Sequence, residues 1–385
     1  MKKTLLATAI AGAAAFATAG AQAATVYNQD GTKLDIYGNI QLMYLSQKDV
    51  TGETKDEIAD NGSTIGFAAE HVIYNGLTGY MKFELDDYEA DEMKISTGRG
   101  NGDQAYIGLR GNFGDARVGS YDSLLDDWVQ DPVSNNEYFD LSDTNEFKGA
   151  PGTFVDEDTT VGDPEGDKIT YTSPVWGGFQ FALGSQYKGD AEDENLQDSG
   201  NASFFGGMKY TIGGFSVAGV YDNLGIYDID SGRAMYDTVD ADGNPVQVDA
   251  EGDLGDQYGI TFQYQWDTLR VALKYERFES DNDLILDSDL YALGARYGYG
   301  NGMGDIYGAY QYVDYGGSGF ADRLSTLNCD VRDRDGCEET DSRNEIVAGV
   351  TYNISDAMYT WVEGGWYDRD TDADDGYAVG LTYQF

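Results

Sequence analysis

Between Asp122 and Asp167 the chain carries Asp126, Asp127, Asp131, Glu137, Asp140, Asp143 and Glu146 before its first basic residue, Lys148. Carboxylates at this density act through their field, drawing cations and repelling anions over a Debye length of ~8 Å at physiological salt. The single histidine, His71, lies close to a short Tyr74-Asn75-Gly76 turn and reads as a structural residue rather than a base. Gly98-Arg99-Gly100-Asn101-Gly102 lacks the helix that a nucleotide fingerprint requires. No cofactor and no enzymatic activity are expected.

Two further sets of residues bear on surface chemistry. Cys329 and Cys337 stand eight positions apart in a polar stretch, and in an exported chain such a pair is expected to form one small disulfide tying a loop. The run from Asp368 to Gly376 resembles the start of an EF-hand, but position twelve counted from Asp370 is Leu381 rather than Glu. Asp333 and Asp335, or Asp240 and Asp242, offer at most loose divalent binding that could bridge to lipid phosphates, and no firm metal site is expected.

The formal net charge is −45, and −47 once Lys2 and Lys3 leave with a leader. Such a field repels nucleic acid. The leader reads from those lysines through the apolar run Leu5 to Phe16 to Ala21-Gln22-Ala23, which predicts a signal peptide over residues 1–23 and a mature chain from Ala24. No later run approaches the ~20 apolar residues of a spanning helix. With 51 Gly, 30 Tyr and only 5 Pro, the composition fits many tight turns and aromatic girdles.

The elements that must carry these residues are strands. Tyr377, Val379, Leu381, Tyr383 and Phe385 alternate with Ala378, Gly380, Thr382 and Gln384, an outward apolar and inward polar pattern that runs to the last residue. Sixteen such segments can be read, from Lys33–Gln47 to this last one, with short turns alternating with long acidic connections at 122–167, 228–256 and 316–344. An even number of strands with short turns on one rim and long loops on the other predicts a transmembrane antiparallel β-barrel, all-β and a single domain over 24–385. About sixteen strands leave a lumen too wide for side chains to fill, hence an aqueous channel.

Several stretches resemble the general porins of the Gram-negative outer membrane. They are Tyr27 to Gly38, Ile65-Gly66-Phe67, Leu77-Thr78-Gly79-Tyr80, Gly108-Leu109 ahead of Phe113-Gly114, Tyr171-Thr172-Ser173-Pro174 and Ala378 to Phe385. The resemblance implies a homotrimer embedded among outer-membrane lipid and lipopolysaccharide, passing small hydrophilic solutes and ions by diffusion. It also implies that the third loop, about 122–167, folds into the lumen as a constriction, and that Phe385 marks an assembly signal, its ring expected on the lipid side at the periplasmic rim.

The chain departs from that family at the wall facing the loop. Positions matching the family's wall cations are Asn39, Thr64, Asp103 and Ser120, leaving Lys82 beside Glu84, with Arg110, Arg117 and Lys168 near in sequence. The expectation is therefore a cation-selective channel, its constriction acids Asp126, Asp127, Asp131, Glu137 and Asp140 facing a wall of Asn39, Thr64, Lys82, Glu84, Asp103 and Ser120. A substrate-specific channel and a barrel-borne adhesion or receptor protein are the alternatives.

Overall fold

The computed structural model describes residues 23–49, 51–86, 88–91, 94–95, 104–134, 136–144, 153–155, 168–187, 202–226, 234–239, 245–249, 254–281, 286–316, 342–369 and 372–385. The strands are β1 (Thr32–Lys48), β2 (Thr54–Asp60 and Thr64–Tyr74, bent at 61–63), β3 (Leu77–Leu85), β4 (Ala105–Gly111), β5 (Gly114–Ser120), β6 (Lys168–Thr172), β7 (Phe179–Tyr187) and β8 (Ala202–Ile212). They continue as β9 (Phe215–Asn223), β10 (Gly255–Trp266), β11 (Leu269–Ser280), β12 (Asp287–Tyr299), β13 (Gly304–Gly316), β14 (Ser342–Ser355), β15 (Met358–Trp366) and β16 (Gly376–Gln384). Each pairs antiparallel with its neighbours, making a closed 16-strand barrel.

Closure occurs at β1. Its outer half pairs with β16 from Asn39↔Gln384 to Gln47↔Gly376, while the short segment Ala24–Gln29 pairs with its first residues on the same side. Phe385 exchanges backbone hydrogen bonds with Gly38 at 3.0 Å in both directions. The column begun by β16 is thus continued by Ala24–Gln29 beyond Phe385, while on the other side Gln384 N–H donates to Ala357 O at 2.8 Å, so Phe385 stands level with the short turn that joins β14 to β15.

Alternation decides the two faces. Tyr377, Val379, Leu381 and Tyr383 are exposed, whereas Ala378 and Thr382 are fully enclosed, and a one-residue slip would exchange the two sets. Exposed aromatics form one belt near the short turns, including Tyr74, Trp176 and Trp266, and another toward the opposite end, including Tyr44, Tyr221 and Trp366. Ile107, Leu183, Leu273 and Val362 lie exposed between them. This is the apolar band and paired girdle of a barrel in lipid.

Inside, ring side chains lie flat over glycines on the adjacent strand. Tyr37 covers Gly66, Tyr80 covers Gly108, Phe205 covers Gly184, Tyr307 covers Gly349 and Trp361 covers Gly380, each a directly opposed pair. A Cβ added at those glycines would meet the ring at 2.1–2.3 Å. Space, not backbone angle, requires glycine there, and the rings cover backbone that glycine leaves bare.

The sequence reading missed the first part of β2. Thr54–Asp60 is a charged, largely exposed stretch without alternation, so it extends β2 past the apolar band where no pattern is imposed. Gly380→Ala is expected to destabilise the barrel by about 1–3 kcal/mol through overpacking against Trp361. Gly219→Ala, whose new Cβ would have only Gly259 O at 3.7 Å, should be nearly neutral; thermal unfolding in detergent compares the two.

Candidate functional site: an inner loop facing the barrel wall

After β5 the chain turns inward. Ser123 N–H donates to Asp126 Oδ2 at 3.2 Å and Asp126 N–H to Ser123 Oγ at 3.1 Å, a reciprocal cap that starts a helical segment. A π-turn, Asp126–Gln130, runs into an α-turn, Asp131–Ser134. Its apolar side, Leu124, Leu125, Trp128 and Val129, packs on Ala182, Phe205, Ala218 and Val220 from the inward faces of β7 to β9. Asp127 and Asp131, four apart and so on one helical face, are left toward the lumen.

Beyond the helix the wall supplies acceptors for the loop backbone. Glu363, enclosed on β15, accepts the N–H groups of Glu137, Tyr138 and Phe139 at 2.9, 2.8 and 2.6 Å, and the Tyr307 hydroxyl at 2.5 Å. Glu345 on β14 accepts Ser142 N–H at 2.8 Å and Ser142 Oγ–H at 2.5 Å, and Gln311 donates to Ser142 O at 2.6 Å. Val133, Phe139 and Leu141 cover inward alanines of β11, β12, β13 and β16. At the bend in β2, Asn61 donates to Glu137 O at 3.0 Å.

A cavity of about 390 Å³ separates this loop from the wall formed by β1 to β5. Asp122, Asp127 and Asp131 line one side; Asn39, Gln41, Thr64, Lys82, Glu84, Gln104 and Arg117 line the other, with Gln384. Two cationic side chains thus face four carboxylates among its lining residues. Arg117 stacks over Tyr121 at 3.8 Å and Tyr106 at 5.3 Å, with Asp127 3.8 Å away. Lys82 lies 3.4 Å from Glu84 and 3.0 Å from Gln104 Oε1. Enclosure pushes the Asp127 carboxyl up to about 6, against the pull of Arg117.

The structure therefore brings Asn39, Thr64, Lys82, Glu84, Asp127 and Asp131 to one cavity. It does not bring the other expected residues there. Asp126 serves the helix cap, Asp140 accepts from Leu141 N–H at 2.7 Å, and Glu137 meets Arg296 at 3.8 Å and the Tyr359 hydroxyl at 3.0 Å. Ser120 pairs with Ala105 on the alternation of exposed Val118, so the expectation that it faces the pore is corrected: a strand cannot aim adjacent residues to one face. Asp103, Asp333, Asp335, Cys329 and Cys337 lie outside the described residues.

Of the cations near in sequence, Lys168 is enclosed against Tyr121 at 4.7 Å. Arg110 pairs with Glu70. Neither lines the cavity. His71, with Thr32 Oγ1 2.7 Å from its Nδ1, also lies elsewhere. Lys274 and Glu276 on β11 are enclosed beneath the loop as a 3.0 Å pair, with Asp143 3.8 Å from Lys274. Glu363 and Glu345 went unread; the available signal was that each is the single acid of its strand.

A closed sheet with apolar outer band and polar interior defines a membrane channel of the β-barrel class. A family model described as Gram-negative porin matches residues 7–372, and the chain belongs to that family. Porins of this family are outer-membrane channels, not enzymes, and that is the location and class of this chain. It is 56% identical, over the whole length of both chains, to a protein of Halomonas sp. named monosaccharide porin, and to the same extent to the major outer membrane protein of Halomonas elongata. It is similar in fold to an anion-selective porin from Comamonas acidovorans, with a TM-score of 0.63 at 15% identity, covering 92% of this chain and all of that one.

Replacing Glu363 by Gln removes the charge and turns one of its two accepting oxygens into an NH2 donor, so the three N–H groups of the loop must share a single oxygen. At about 1.5–3 kcal/mol per charge-assisted bond, the loop should loosen. The expected readout is larger open-channel current noise in single-channel recordings, with the barrel still folded.

Proposed function

We propose that the chain is a water-filled diffusion channel for small hydrophilic solutes and ions, biased toward cations by Asp127 and Asp131. The observation that supports this is the cavity in which four carboxylates meet only two cations. Fold does not fix the sign of selectivity, since a porin described as anion-selective shares the architecture. The sign comes from which side chains face the water, and here the acids are in excess.

Planar-bilayer reversal potentials under a KCl gradient test the reading, with cation preference expected at neutral pH. The double variant Asp127→Asn/Asp131→Asn should lower the cation-over-anion permeability ratio about two- to fivefold, the scale of screened charges in water. Burial pushes the Asp127 carboxyl up to about 6 and the Asp131 carboxyl up to about 7, so the preference should be full well above pH 7 and fall as pH drops through that range. Anion preference in the unaltered protein would overturn the proposal, and a lumen without conductance would favour an adhesion or receptor role.

Assembly into a homotrimer is supported by the uneven wall. β4 and β5 have 7 residues each and β6 only 5, against 13 or 14 in β12 to β14. Seven residues at ~3.4 Å each, tilted ~40°, reach about 18 Å, short of a ~25 Å apolar band. Copies of the same chain would cover that flank, with lipid and lipopolysaccharide around the taller one. Cleavage after Ala23 would fit this barrel, since Ala24 pairs with Ile36, two register positions from the site of Phe385.

A second reading adds selectivity for a solute class. The Halomonas sp. relative named monosaccharide porin supports monosaccharides as part of the traffic through this chain.

A further inference from the structure

The wall opposite Asp127 and Asp131 is a rail of side chains fixed by one another. Asn39 Nδ2 donates to Thr64 Oγ1 at 3.0 Å, while Asn39 Oδ1 is enclosed and accepts no hydrogen bond. Lys82 Nζ donates to Gln104 Oε1 at 3.0 Å, and Gln104 Nε2 donates to both Asp122 oxygens at 2.8 Å. Gln41 Nε2 donates to Gly62 O at 3.2 Å in the bend of β2. Cross-strand bonds thus hold the amides in place, so a solute meeting them orders little that is not already ordered.

The mixture matters more than the charge. A rail meant only for ions needs one sign, whereas this one interleaves amides, a hydroxyl, carboxylates and an ammonium. An amide offers a donor and an acceptor side by side, and a carboxylate two acceptors. Those are the groups that complement neighbouring hydroxyls, each of which donates and accepts. The cavity, about 390 Å³, lies within the ~300–1,000 Å³ of small-molecule sites. Both Tyr37 and Tyr106 already carry a cation over the ring, Lys82 at 5.8 Å and Arg117 at 5.3 Å, so recognition here is by hydrogen bonding rather than by stacking.

We propose that this cavity is a polyol subsite taking neutral monosaccharides, with Gln104 and the second Nδ2 hydrogen of Asn39 as its principal amide contacts and Glu84 and Asp131 as acceptors from sugar hydroxyls. The proposal rests on the channel reading above. Affinity must stay weak, because a solute held tightly would block the path it travels. The subsite therefore speeds entry at low sugar concentration and saturates at high concentration.

The test uses the purified full-length mature protein reconstituted in liposomes. Fluxes of glucose and of tetraethylene glycol, a neutral solute poor in hydroxyls, are measured over a concentration series, with KCl conductance recorded on the same preparation. Glucose flux should saturate and glycol flux should rise linearly. Asn39→Leu and Gln104→Leu should each lower the glucose-to-glycol flux ratio about three- to tenfold, the scale of one hydrogen bond. If the unaltered protein conducts KCl while glucose flux stays linear and the ratio is indifferent to both substitutions, the subsite is overturned and the channel stands. If the unaltered protein conducts nothing, the channel reading itself fails. Should neither variant insert, saturation in the unaltered protein decides the matter alone.

Discussion

A backbone segment that crosses the interior of a barrel carries its N–H groups away from any strand ladder, and each needs an acceptor. Here that need is met by two wall carboxylates. Glu363 takes three successive N–H groups of the loop and Glu345 takes Ser142. A carboxylate accepts and cannot donate, so it suits a row of N–H groups better than an amide of equal size. The position of the loop, and so the width and lining of the cavity, follows from these bonds.

The same economy of space runs through the inner wall. Inward alanines such as Ala272, Ala292 and Ala378 leave room for Val133, Phe139 and Leu141 to pack, and cross-strand glycines leave room for rings. Apolar burial fixes the loop on one flank of the lumen while the opposite flank stays polar and open. Asp127 and Asp131 face that polar flank because the other side of their helical segment is committed to Leu125, Trp128 and Val129.

Much of this was legible in the chain. Period-2 alternation has to persist wherever a strand separates lipid from water, which is why β16 could be read to its last residue and the short turns located. Thr54–Asp60 lay outside that constraint and carried no pattern. The acidic loop could be read as a charge but not as a shape: Asp127 and Asp131 reach the cavity, while Asp126 is spent on a cap. Distinguishing them required the helix, whose Ser123-to-Asp126 cap and apolar spacing were present in the sequence. Glu363 could not be assigned from its surroundings, since its loop partners lie more than 220 residues away. Ser120 was misplaced because matching a motif carries no parity.

If the loop presents its carboxylate face to the conducting water and its apolar face to the wall, the two faces must differ in access. The most direct measurement is current block by a cationic methanethiosulfonate reagent in bilayers, comparing Asp131→Cys with Val133→Cys. Rapid, stepwise loss of current at position 131 and none at 133 is the result this account predicts. Equal reaction at both positions, or modification at 131 that leaves the current unchanged, would contradict it.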